Sequence, residues 1–371
     1  MKILQLGKFY PIRGGVEKVM YDLMLGLSGR GVQCDMLCAS FEGKSRSVEI
    51  NKNALLMVTS TWVQKSATMI SPSMVSKLYE IADEYDIIHI HHPDPMACMA
   101  LMMSGYKGKV VLHWHSDILK QRVLLKVYEP LQKWLIERAD IIVGTSPVYV
   151  KESPFLQHVQ DKITYLPIGV EPIAKAEGSA DELHKRYPGK KIVFTLGRLV
   201  EYKGYESLIN AAAELGDDYV VLIGGTGPLK KKLQHRIEEL NLKRRVKLLG
   251  YMLDEELPMY FNGCDLFCLS SVMKTEAFGI VQIEAMSCGK PVVATRIPHS
   301  GVSWVNEHGV SGLNAEPDDA VSLAQCIRGV LEDEEAYRRY CAGALQRYNS
   351  LFTQEKMIDK CLEIYKRMLN V

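Results

Sequence analysis

Two basic side chains on one short segment, residues 197–204, have the chemistry needed to hold a diphosphate. Arg198 offers a planar fork of donors that matches phosphate oxygens, and Lys203 offers a compact charge for a second oxygen. The segment follows a strand predicted over residues 191–196, and open α/β sheets bind ligands where their strands end. Taken alone, the segment is equally consistent with a phosphate-binding loop and with a solvated basic loop.

Two carboxylates, Glu276 and Glu284, flank the stretch AFGIVQI. A strand is predicted before this stretch and a helix within it, so we expect Gly279 near a helix N-terminus, where backbone N–H groups favour an anion. Glu276 is then suited to binding sugar hydroxyls and Glu284 to reaching a ribose. Taken alone, however, the segment favours the alternative that Glu276 caps the helix and Glu284 is a surface residue, because glutamate is common early in helices.

Glycine-rich turns follow two other predicted strands. Gly14 and Gly15 lie between the first strand and the first helix, and Gly224, Gly225 and Gly227 follow a strand of the second half. Glycine lets a backbone approach a phosphate closely, but it also simply permits a tight turn. Neither turn has the spacing G-x-G-x-x-G, so we predict no dinucleotide site.

The stretch HWHSD puts His113, His115 and Asp117 at the end of a predicted strand. An imidazole in that position can hydrogen-bond or polarise a transferring group. His89 and His91 share one face of another strand and are zinc ligands on paper, but no cysteine or carboxylate completes the set. We therefore predict no bound metal and no other cofactor.

Short apolar strands alternate with helical patterns along the chain. In the first helix the apolar residues Val19, Met20, Leu23 and Leu27 recur at a period near 3.6. The alternation predicts an α/β protein with parallel, doubly wound sheets. The predicted strands are residues 2–6, 33–39, 86–91, 109–113, 140–145, 191–196, 218–223, 246–249, 266–270 and 291–294.

A boundary between two domains is predicted near residues 165–172, where YLPIGVEP contains two prolines and a glycine. The strand–helix pattern restarts after it, and a length of 371 residues also favours two domains. We predict Rossmann-like domains over residues 1–168 and 169–352. From fold-level expectation, a C-terminal helix at about residues 353–371 packs back on the first domain.

The overall composition excludes two classes of protein. The net charge is only +1, from 45 basic and 44 acidic residues, whereas dedicated nucleic-acid binders are strongly basic. The sequence contains no apolar run of about 18 residues and no signal-peptide pattern, so we expect a cytoplasmic protein without a membrane span.

Taken together and in order, these segments closely resemble the family-four retaining glycosyltransferases, which have the GT-B fold. The resemblance runs from KFYPIRGGVEK at the start to SGLNAEPDD near residue 318. Its most specific part is EAFGIVQIEAMSCGKPVVAT, while LGRLVEYKG resembles the donor-phosphate loop and YLPIGVE the interdomain connection. The resemblance implies two Rossmann-like domains whose parallel sheets face a central cleft, and an enzyme that needs no metal.

The resemblance also implies a role for each matching residue. Arg198 and Lys203 would neutralise the donor diphosphate, Glu276 would bind the donor sugar and Glu284 the ribose. His115 would lie near the anomeric centre and contact the 6-hydroxyl of the sugar. Backbone groups would bind the nucleotide and its phosphates at Gly15, Gly225, Phe278, Gly279 and Ile280. Contacts with the base would come from Tyr251 and Met252. On the acceptor side lie Asp117 and His113, and His113 is also the alternative to His115 for the position near the anomeric centre.

The donor and the acceptor are predicted from a less specific similarity. The stretch HSDILKQRVLLKVYEPL resembles bacterial mannosyltransferases that build O-antigen or exopolysaccharide, which favours GDP-mannose as donor over UDP-sugars. The acceptor would be lipid-linked or an oligosaccharide. Competing interpretations are a sugar-nucleotide epimerase, a polymerase of the same fold, and a non-catalytic sugar-nucleotide-binding protein.

The same stretch predicts a basic amphipathic helix. Its apolar positions include Leu119, Val123 and Leu131, and its basic residues include Lys120, Arg122, Lys126, Lys133 and Arg138. Such a helix can lie on an anionic membrane, so peripheral docking at the inner leaflet is one hypothesis. A core-facing helix with a solvated polar side is the alternative.

Overall fold

The structure, a computed structural model, describes residues 1–65, 68–118, 122–175 and 178–371. The described chain divides into two compact units. Unit 1 comprises Met1–Gly169 together with Gln354–Val371, and unit 2 comprises Val170–Thr353. Each unit contains one large sheet with helices around it.

Unit 1 is built on an eight-stranded sheet with the order β10-β9-β8-β7-β1-β2-β4-β3, parallel except for the pair β3–β4. A separate hairpin is formed by β5 and β6. The elements of unit 1 are β1 Lys2–Tyr10, α1 Gly15–Gly29, β2 Gln33–Ser40, β3 Arg46–Asn51, β4 Ala54–Thr59, β5 Val63–Lys65, β6 Thr68–Ile70, α2 Pro72–Ile81, β7 Ile87–His92, α3 Pro95–Ser104, β8 Lys109–Trp114, α4 Arg122–Arg138, β9 Ile141–Gly144, α5 Pro147–Lys151, β10 Ile163–Tyr165 and, after unit 2, α14 Gln354–Leu369.

Unit 2 is built on a six-stranded, fully parallel sheet with the order β13-β12-β11-β14-β15-β16. Its elements are α6 Ser179–Arg186, β11 Lys191–Leu196, α7 Tyr205–Glu214, β12 Tyr219–Gly224, α8 Lys230–Glu239, β13 Val246–Gly250, α9 Leu257–Gly263, β14 Leu266–Leu269, α10 Ile280–Ser287, β15 Val292–Thr295, α11 Val302–Val305, β16 Gly312–Ala315, α12 Ala320–Leu331 and α13 Glu334–Arg347.

The predicted α/β class with two doubly wound, largely parallel sheets is confirmed. The central strands are apolar on both faces because helices cover both sides of such a sheet. In unit 2 the strands β12 and β14 are buried at every residue. Rings of Phe194, Phe261 and Phe267 pack together, while Val193, Val221 and Leu266 belong to a cluster with the helices α7 and α12.

In both sheets the strand order reverses beside the first strand of the unit. In unit 1, β1 lies between β2 and β7; in unit 2, β11 lies between β12 and β14. The connections on either side of such a reversal leave in opposite directions, so a crevice opens at the carboxyl ends of the two central strands. The loops after β1, β7, β11 and β14 are therefore the ones that the fold makes available for a ligand.

The C-terminal segment ends in a helix close to the one predicted at about residues 353–371. α13 ends at Arg347, and a single π-helical turn, Tyr348–Phe352, separates it from α14, Gln354–Leu369. In α14 the buried residues Met357, Ile358, Cys361, Ile364 and Tyr365 form one face, and the helix packs against α1. The spacing of these residues follows the helical period, which explains why one face is apolar.

Several elements were not predicted. The strands β3, β10 and β16 and the hairpin of β5 and β6 were missed because they are short or carry polar residues on exposed positions, as in β3. The strand β4 was also missed, although its six residues are mostly apolar and buried. The predicted basic helix is present as α4, but Leu119 and Lys120 lie outside the described residues, as do the side chains of residues 122–127.

Within the described ranges, no helix has the length and apolar character that crossing a bilayer requires.

Candidate functional site

The loops after β11 and β14 are joined to each other at the strand-order reversal of unit 2. The hydroxyl of Ser270 donates a hydrogen bond of 3.0 Å to the carbonyl of Lys203, and the N–H of Val272 donates one of 2.8 Å to the carbonyl of Tyr202. Because β11 and β14 are neighbouring parallel strands, their following loops emerge at the same edge. This arrangement brings Lys203 and Glu276 together, although 73 residues separate them.

Lys203 and Glu276 form an ion pair, with 2.6 Å between Lys203 Nζ and Glu276 Oε2. Their side chains are only 11% and 12% exposed, so water screens the pair weakly. Burial by itself would lower the pKa of Lys203, but the Glu276 carboxylate outweighs it and, with Tyr202, raises that pKa. Ser271 donates a further hydrogen bond of 3.0 Å to Glu276 Oε2. The lysine is therefore held as a cation.

The backbone around Glu276 is fixed from a neighbouring loop. The hydroxyl of Ser300 donates to the Glu276 carbonyl, and the N–H of Gly301 donates to the Ala277 carbonyl at 2.9 Å. The Thr295 hydroxyl donates to the carbonyl of Ser271. Three backbone carbonyls of one loop are thus satisfied by groups at and beyond the end of β15, which limits how far the Glu276 side chain can move.

Two glycines allow these loops to pack backbone to backbone. A Cβ at Gly225, whose φ is +124°, would lie 1.9 Å from the carbonyl oxygen of Gly197. A Cβ at Gly204, whose φ is +64°, would lie 2.0 Å from the carbonyl oxygen of Ser270. No other residue type tolerates both the left-handed backbone and this proximity. The glycine turns therefore serve at least to bring the Arg198–Lys203 segment beside the neighbouring strand ends.

The helix α10 begins beside this pair, as the sequence predicted. Phe278 and Gly279 directly precede it, Ile280 is its first residue, and Gly279 has φ +76°. Phe278 is 3% exposed and packs its ring against Trp304 and Phe352. The free N–H groups of the first turn carry partial positive charge, so this end of the helix is suited to an anion.

The other predicted residues of unit 2 lie on the same edge of the sheet or on α10. Arg198 follows β11 and is exposed, and Gly225 follows β12. Glu284 lies one turn into α10 and is half-buried. Tyr251 and Met252 follow β13; Tyr251 is 75% exposed, whereas Met252 is buried. The structure thus gathers every predicted residue of unit 2 around the ends of β11, β12, β13 and β14.

Unit 1 carries the remaining predicted residues. Gly15 is the first residue of α1, after β1, and is exposed. Near it lies Glu17, a carboxylate that the sequence reasoning did not single out, although it is the glutamate of the GGVEK stretch. Burial raises the pKa of Glu17, while the nearby Lys8 opposes this increase. Glu17 belongs to the first turn of α1, where the helix dipole favours a negative charge.

Four buried imidazoles are stacked on one face of the sheet of unit 1. The parallel register pairs His91 of β7 with His113 of β8, and the two-residue side-chain period adds His89 and His115 to the same face. Neighbouring rings are nearly parallel: His113 and His115 have centroids 3.9 Å apart and an angle of 18°, and His89 and His91 have 4.7 Å and 15°.

The two histidines of HWH differ in position. His113 lies inside β8, is fully buried and has no hydrogen-bond partner for either ring nitrogen within the described part of the chain. His115 lies beyond the strand end and is 4% exposed. Burial lowers the pKa of His113 to about 3 and lowers the pKa of His115 well below its usual value. Both imidazoles are therefore neutral near pH 7.

Three imidazoles of the stack lie close enough together to be compared with a metal site. Ligand atoms of His89, His91 and His113 lie within 4.8 Å of one another. An imidazole lone pair lies in the plane of its ring, and the angles between these ring planes are 15°, 21° and 32°, which limits how well the three lone pairs can converge on one ion. Both nitrogens of His91 are moreover hydrogen-bonded, to His115 at 2.9 Å and to Gln5 at 2.8 Å.

Asp117 fixes the loop that follows β8. Its Oδ1 accepts hydrogen bonds from Trp114 Nε1 at 2.9 Å and from the Ser153 hydroxyl at 2.7 Å. Its backbone N–H donates to the Tyr149 hydroxyl at 2.9 Å. The side chain is 6% exposed, so these contacts hold the loop that also carries His115. The role of Asp117 on the acceptor side of the site stays a prediction.

The two units match different family models. "Glycosyltransferase Family 4" matches residues 13–172, and "Glycosyl transferases group 1" matches residues 179–347. O-antigen chain mannosyltransferase C of Escherichia coli is 30% identical over 372 residues, covering 100% of this chain and 99% of that protein. D-rhamnosyltransferase WbpZ of Pseudomonas aeruginosa is 29% identical over 357 residues, covering 95% and 92%.

A solved structure has the same fold at lower sequence identity. HepE of Anabaena, crystallised in complex with UDP, superposes with a TM-score of 0.80 at 22% identity, covering 99% of this chain and 100% of that one. The two parallel-sheet α/β units agree with these similarities in fold. The chain belongs to the family-four glycosyltransferases and has the GT-B fold.

The ion pair at the edge of unit 2 leads to a prediction about the charge of Lys203. We expect Glu276→Gln to lower the pKa of Lys203, because it removes the negative charge that outweighs the effect of burial. Lys203 should titrate above the ordinary lysine range in the wild-type protein and below it in the variant. The titration can be followed by NMR of isotope-labelled, methylated lysines.

The matched control is Glu206→Gln, which removes the partner of Lys232. That pair also has an N–O distance of 2.6 Å, but its lysine is 63% exposed and lies on the surface. This control should leave the titration of Lys203 unchanged. An identical Lys203 pKa in the wild-type and Glu276→Gln proteins would contradict the coupling.

Proposed function

We propose that this chain is a retaining, metal-independent hexosyltransferase that transfers mannose from GDP-mannose to a lipid-linked or oligosaccharide acceptor. The product would be a bacterial surface polysaccharide such as O-antigen or capsule. The observation that carries the proposal is the buried Lys203–Glu276 pair beside the start of α10, at the strand-order reversal of unit 2. Support for the substrate comes from the full-length similarity to an O-antigen chain mannosyltransferase.

The proposed chemistry depends on stabilising a leaving nucleoside diphosphate. Lys203, held as a cation, and the exposed Arg198 supply fixed positive charge for the diphosphate. The N–H groups at the start of α10 supply partial charge in the same place. Such preorganised groups act where negative charge develops in the transition state, which makes them more effective than mobile water.

Glu276 and Glu284 are proposed to orient the donor. Glu276 would bind hydroxyls of the sugar, and its ion pair with Lys203 would keep the sugar-binding and phosphate-binding groups in register. Glu284, one turn into α10, would bind the ribose. In unit 1, His115 would hydrogen-bond the 6-hydroxyl of the donor sugar. His115 is preferred to His113 because His113 lies within β8 and is completely buried.

Retention is proposed to proceed by attack on the face from which the diphosphate leaves. The bond between the anomeric carbon and the phosphate oxygen breaks, and the acceptor oxygen forms the new bond on the same face. The acceptor proton passes to the departing phosphate, so no separate base is needed. The positive groups of unit 2 would neutralise the charge released, which is the role that a metal ion performs in other transferases.

A UDP-sugar is the second candidate for the donor. HepE, a neighbour in fold, was solved in complex with UDP, which favours a uridine nucleotide. Base recognition is proposed at Tyr251 and Met252, which follow β13. The exposed ring of Tyr251 can stack on either base, so these residues do not discriminate between guanine and uracil.

The donor prediction is tested by ligand-dependent thermal unfolding and by transfer assays. A ligand that binds the folded state raises the unfolding temperature, so GDP-mannose should give a larger increase than UDP-glucose, UDP-galactose or UDP-GlcNAc at equal concentration. If only UDP-sugars raised the unfolding temperature, the donor would be a UDP-sugar and GDP-mannose would be the wrong assignment. Binding without transfer to any acceptor would indicate a non-catalytic sugar-nucleotide-binding protein.

The catalytic roles predict large kinetic effects. Lys203→Ala and Glu276→Ala should each lower turnover by about a hundredfold or more, the usual scale for one group that stabilises developing charge. Lys232→Ala, which breaks a surface ion pair of the same length, is the control and should retain near-normal turnover. Near-normal turnover of both site variants would show that the site has been assigned wrongly.

For a lipid-linked acceptor we propose a cytoplasmic enzyme that docks peripherally on the inner membrane through the basic stretch of residues 119–138. Reversing the charges of Lys120, Arg122 and Lys126 should reduce binding to vesicles containing anionic lipids, because each basic residue near such a surface contributes about 1 kcal/mol. Sedimentation with vesicles measures the effect. Reversal of the exposed run Lys230–Lys232 in unit 2 is the control, and equal binding of both variants would remove support for docking.

A further inference from the structure

A continuous path of hydrogen bonds leads from the C-terminal helix to His115. Gln5 Nε2 donates to the Tyr365 hydroxyl at 3.1 Å, and Gln5 Oε1 lies 2.8 Å from His91 Nε2. His91 Nδ1 in turn lies 2.9 Å from His115 Nε2. Tyr365, Gln5 and His91 are completely buried and His115 is 4% exposed, so no bulk water competes for these bonds.

The amide of Gln5 gives this path a direction. An amide nitrogen only donates and an amide oxygen only accepts. The nitrogen of Gln5 has acceptors in Tyr365 and, at 3.7 Å, in the sulfur of Cys34, so the oxygen faces His91. The Tyr365 hydroxyl then donates onward to His89 Nδ1, at 2.5 Å. Reversing the amide would require the Tyr365 hydroxyl to donate to the Gln5 oxygen, and His89 Nδ1 would then have to donate to the Tyr365 hydroxyl.

The direction determines which nitrogen of each imidazole carries the proton. His91 Nε2 must carry hydrogen in order to donate to the Gln5 oxygen. A neutral imidazole has one N–H, so His91 Nδ1 is a lone pair and accepts from His115 Nε2. His115 Nδ1 is then also a lone pair, and among the described residues it has no hydrogen-bond partner.

The doubly protonated forms do not interfere with this assignment near neutral pH. Burial, followed by the neighbouring histidines and Lys8, lowers the pKa values of His91 and His115 well below the usual value. Each ring therefore has one proton, and its position is the only variable. In water a histidine exchanges between both tautomers, whereas here the path selects one.

We propose that Gln5 and Tyr365 are positioning residues that hold His115 as the Nε2–H tautomer, so that its Nδ1 accepts a hydrogen bond from a hydroxyl of the donor sugar. This inference rests on the proposed role of His115. The opposite tautomer would present an N–H donor at Nδ1. A sugar hydroxyl would then have to accept from that N–H, and its own O–H would have to donate to a different acceptor.

The direct test is NMR of protein containing nitrogen-labelled histidine, in which protonated and unprotonated ring nitrogens have well-separated shifts. Wild-type His115 should be protonated at Nε2 only. Gln5→Met, which keeps the size of the side chain but removes both amide groups, should give a mixture of the two tautomers. Gln5→Glu should keep the wild-type pattern, because burial favours the neutral acid, whose carbonyl oxygen can accept from His91 Nε2 while its hydroxyl donates in place of the Gln5 amide nitrogen.

Tyr365→Phe provides a second and milder variant. It removes one hydroxyl, so the Gln5 nitrogen loses its closer acceptor and the amide can reverse. We expect a mixture of His115 tautomers here too. Tyr106→Phe is the matched control, since the Tyr106 hydroxyl is also buried in unit 1 and donates at 2.8 Å to a carbonyl, that of Tyr85, outside the histidine stack. It should leave the His115 pattern unchanged.

Kinetics connect the tautomer to transfer. Gln5→Met and Tyr365→Phe should lower kcat/KM by about tenfold, the scale for one unsatisfied hydrogen bond, while Gln5→Glu should remain within about threefold of wild type. A single wild-type tautomer in folded Gln5→Met and Tyr365→Phe proteins would overturn the inference. A shifted tautomer with unchanged kcat/KM would overturn the positioning role.

The tautomer measurement does not require turnover, so it separates this inference from the proposed function. If the shifts change as expected but no donor supports transfer even in the wild-type protein, the hydrogen-bond path is supported and the proposed function fails. If transfer proceeds and the shifts do not change, the proposed function stands and the inference fails.

Discussion

The buried ion pair of Lys203 and Glu276 is the interaction on which the arrangement of unit 2 depends. Two charges in a weakly screened position are tolerated only as partners, because removing one leaves the other without compensation, at a typical cost of about 3–5 kcal/mol. The pair also requires the loops after β11 and β14 to lie side by side, and the hydrogen bonds from Ser270 and Val272 hold them there. A structural requirement and a chemical one thus coincide at these two residues.

The same pair explains how Lys203, which we propose to bind phosphate, can remain charged while most of its surface is covered. Burial disfavours an ammonium group, and without Glu276 the effect of desolvation on the pKa of Lys203 would prevail. With the carboxylate in place, the positive charge is preformed and needs no reorganisation when an anion arrives. Preorganisation of this kind is what distinguishes a catalytic cation from a solvated surface lysine.

The stacked histidines of unit 1 differ from Lys203 because, within the part of the chain that the structure describes, they are buried without a carboxylate partner in their ring contacts and hydrogen bonds. Desolvation keeps the rings neutral, so their charge carries no function, and what remains to be controlled is the position of a proton. The hydrogen bond between Gln5, on the neighbouring strand β1, and His91 controls which ring nitrogen carries the proton. The contrast between a preformed charge in unit 2 and a preformed tautomer in unit 1 follows from the presence or absence of a buried counter-charge.

Much of the fold was predictable from the sequence by simple periodicity. Alternating apolar strands and helices indicated parallel α/β sheets, and the two-residue period of a strand already put His89 and His91 on one face. The segment before α10 was recognised because a strand, a glycine and a helix follow one another within a few residues. Polar and short strands such as β3 and β16 were missed, since their stability comes from pairing with neighbours and leaves little apolar pattern.

The sequence by itself determined the class of fold, the family and the residue types available for phosphate and sugar chemistry, because these depend on local order along the chain. Which of those residues meet was decided only by the tertiary structure. Strand order joined Lys203 to Glu276, and the return of the last helix to unit 1 joined Gln5 to Tyr365 across 360 residues. Contacts of that kind leave no periodic trace in a single sequence, since each partner alone looks like an ordinary polar residue in an apolar segment.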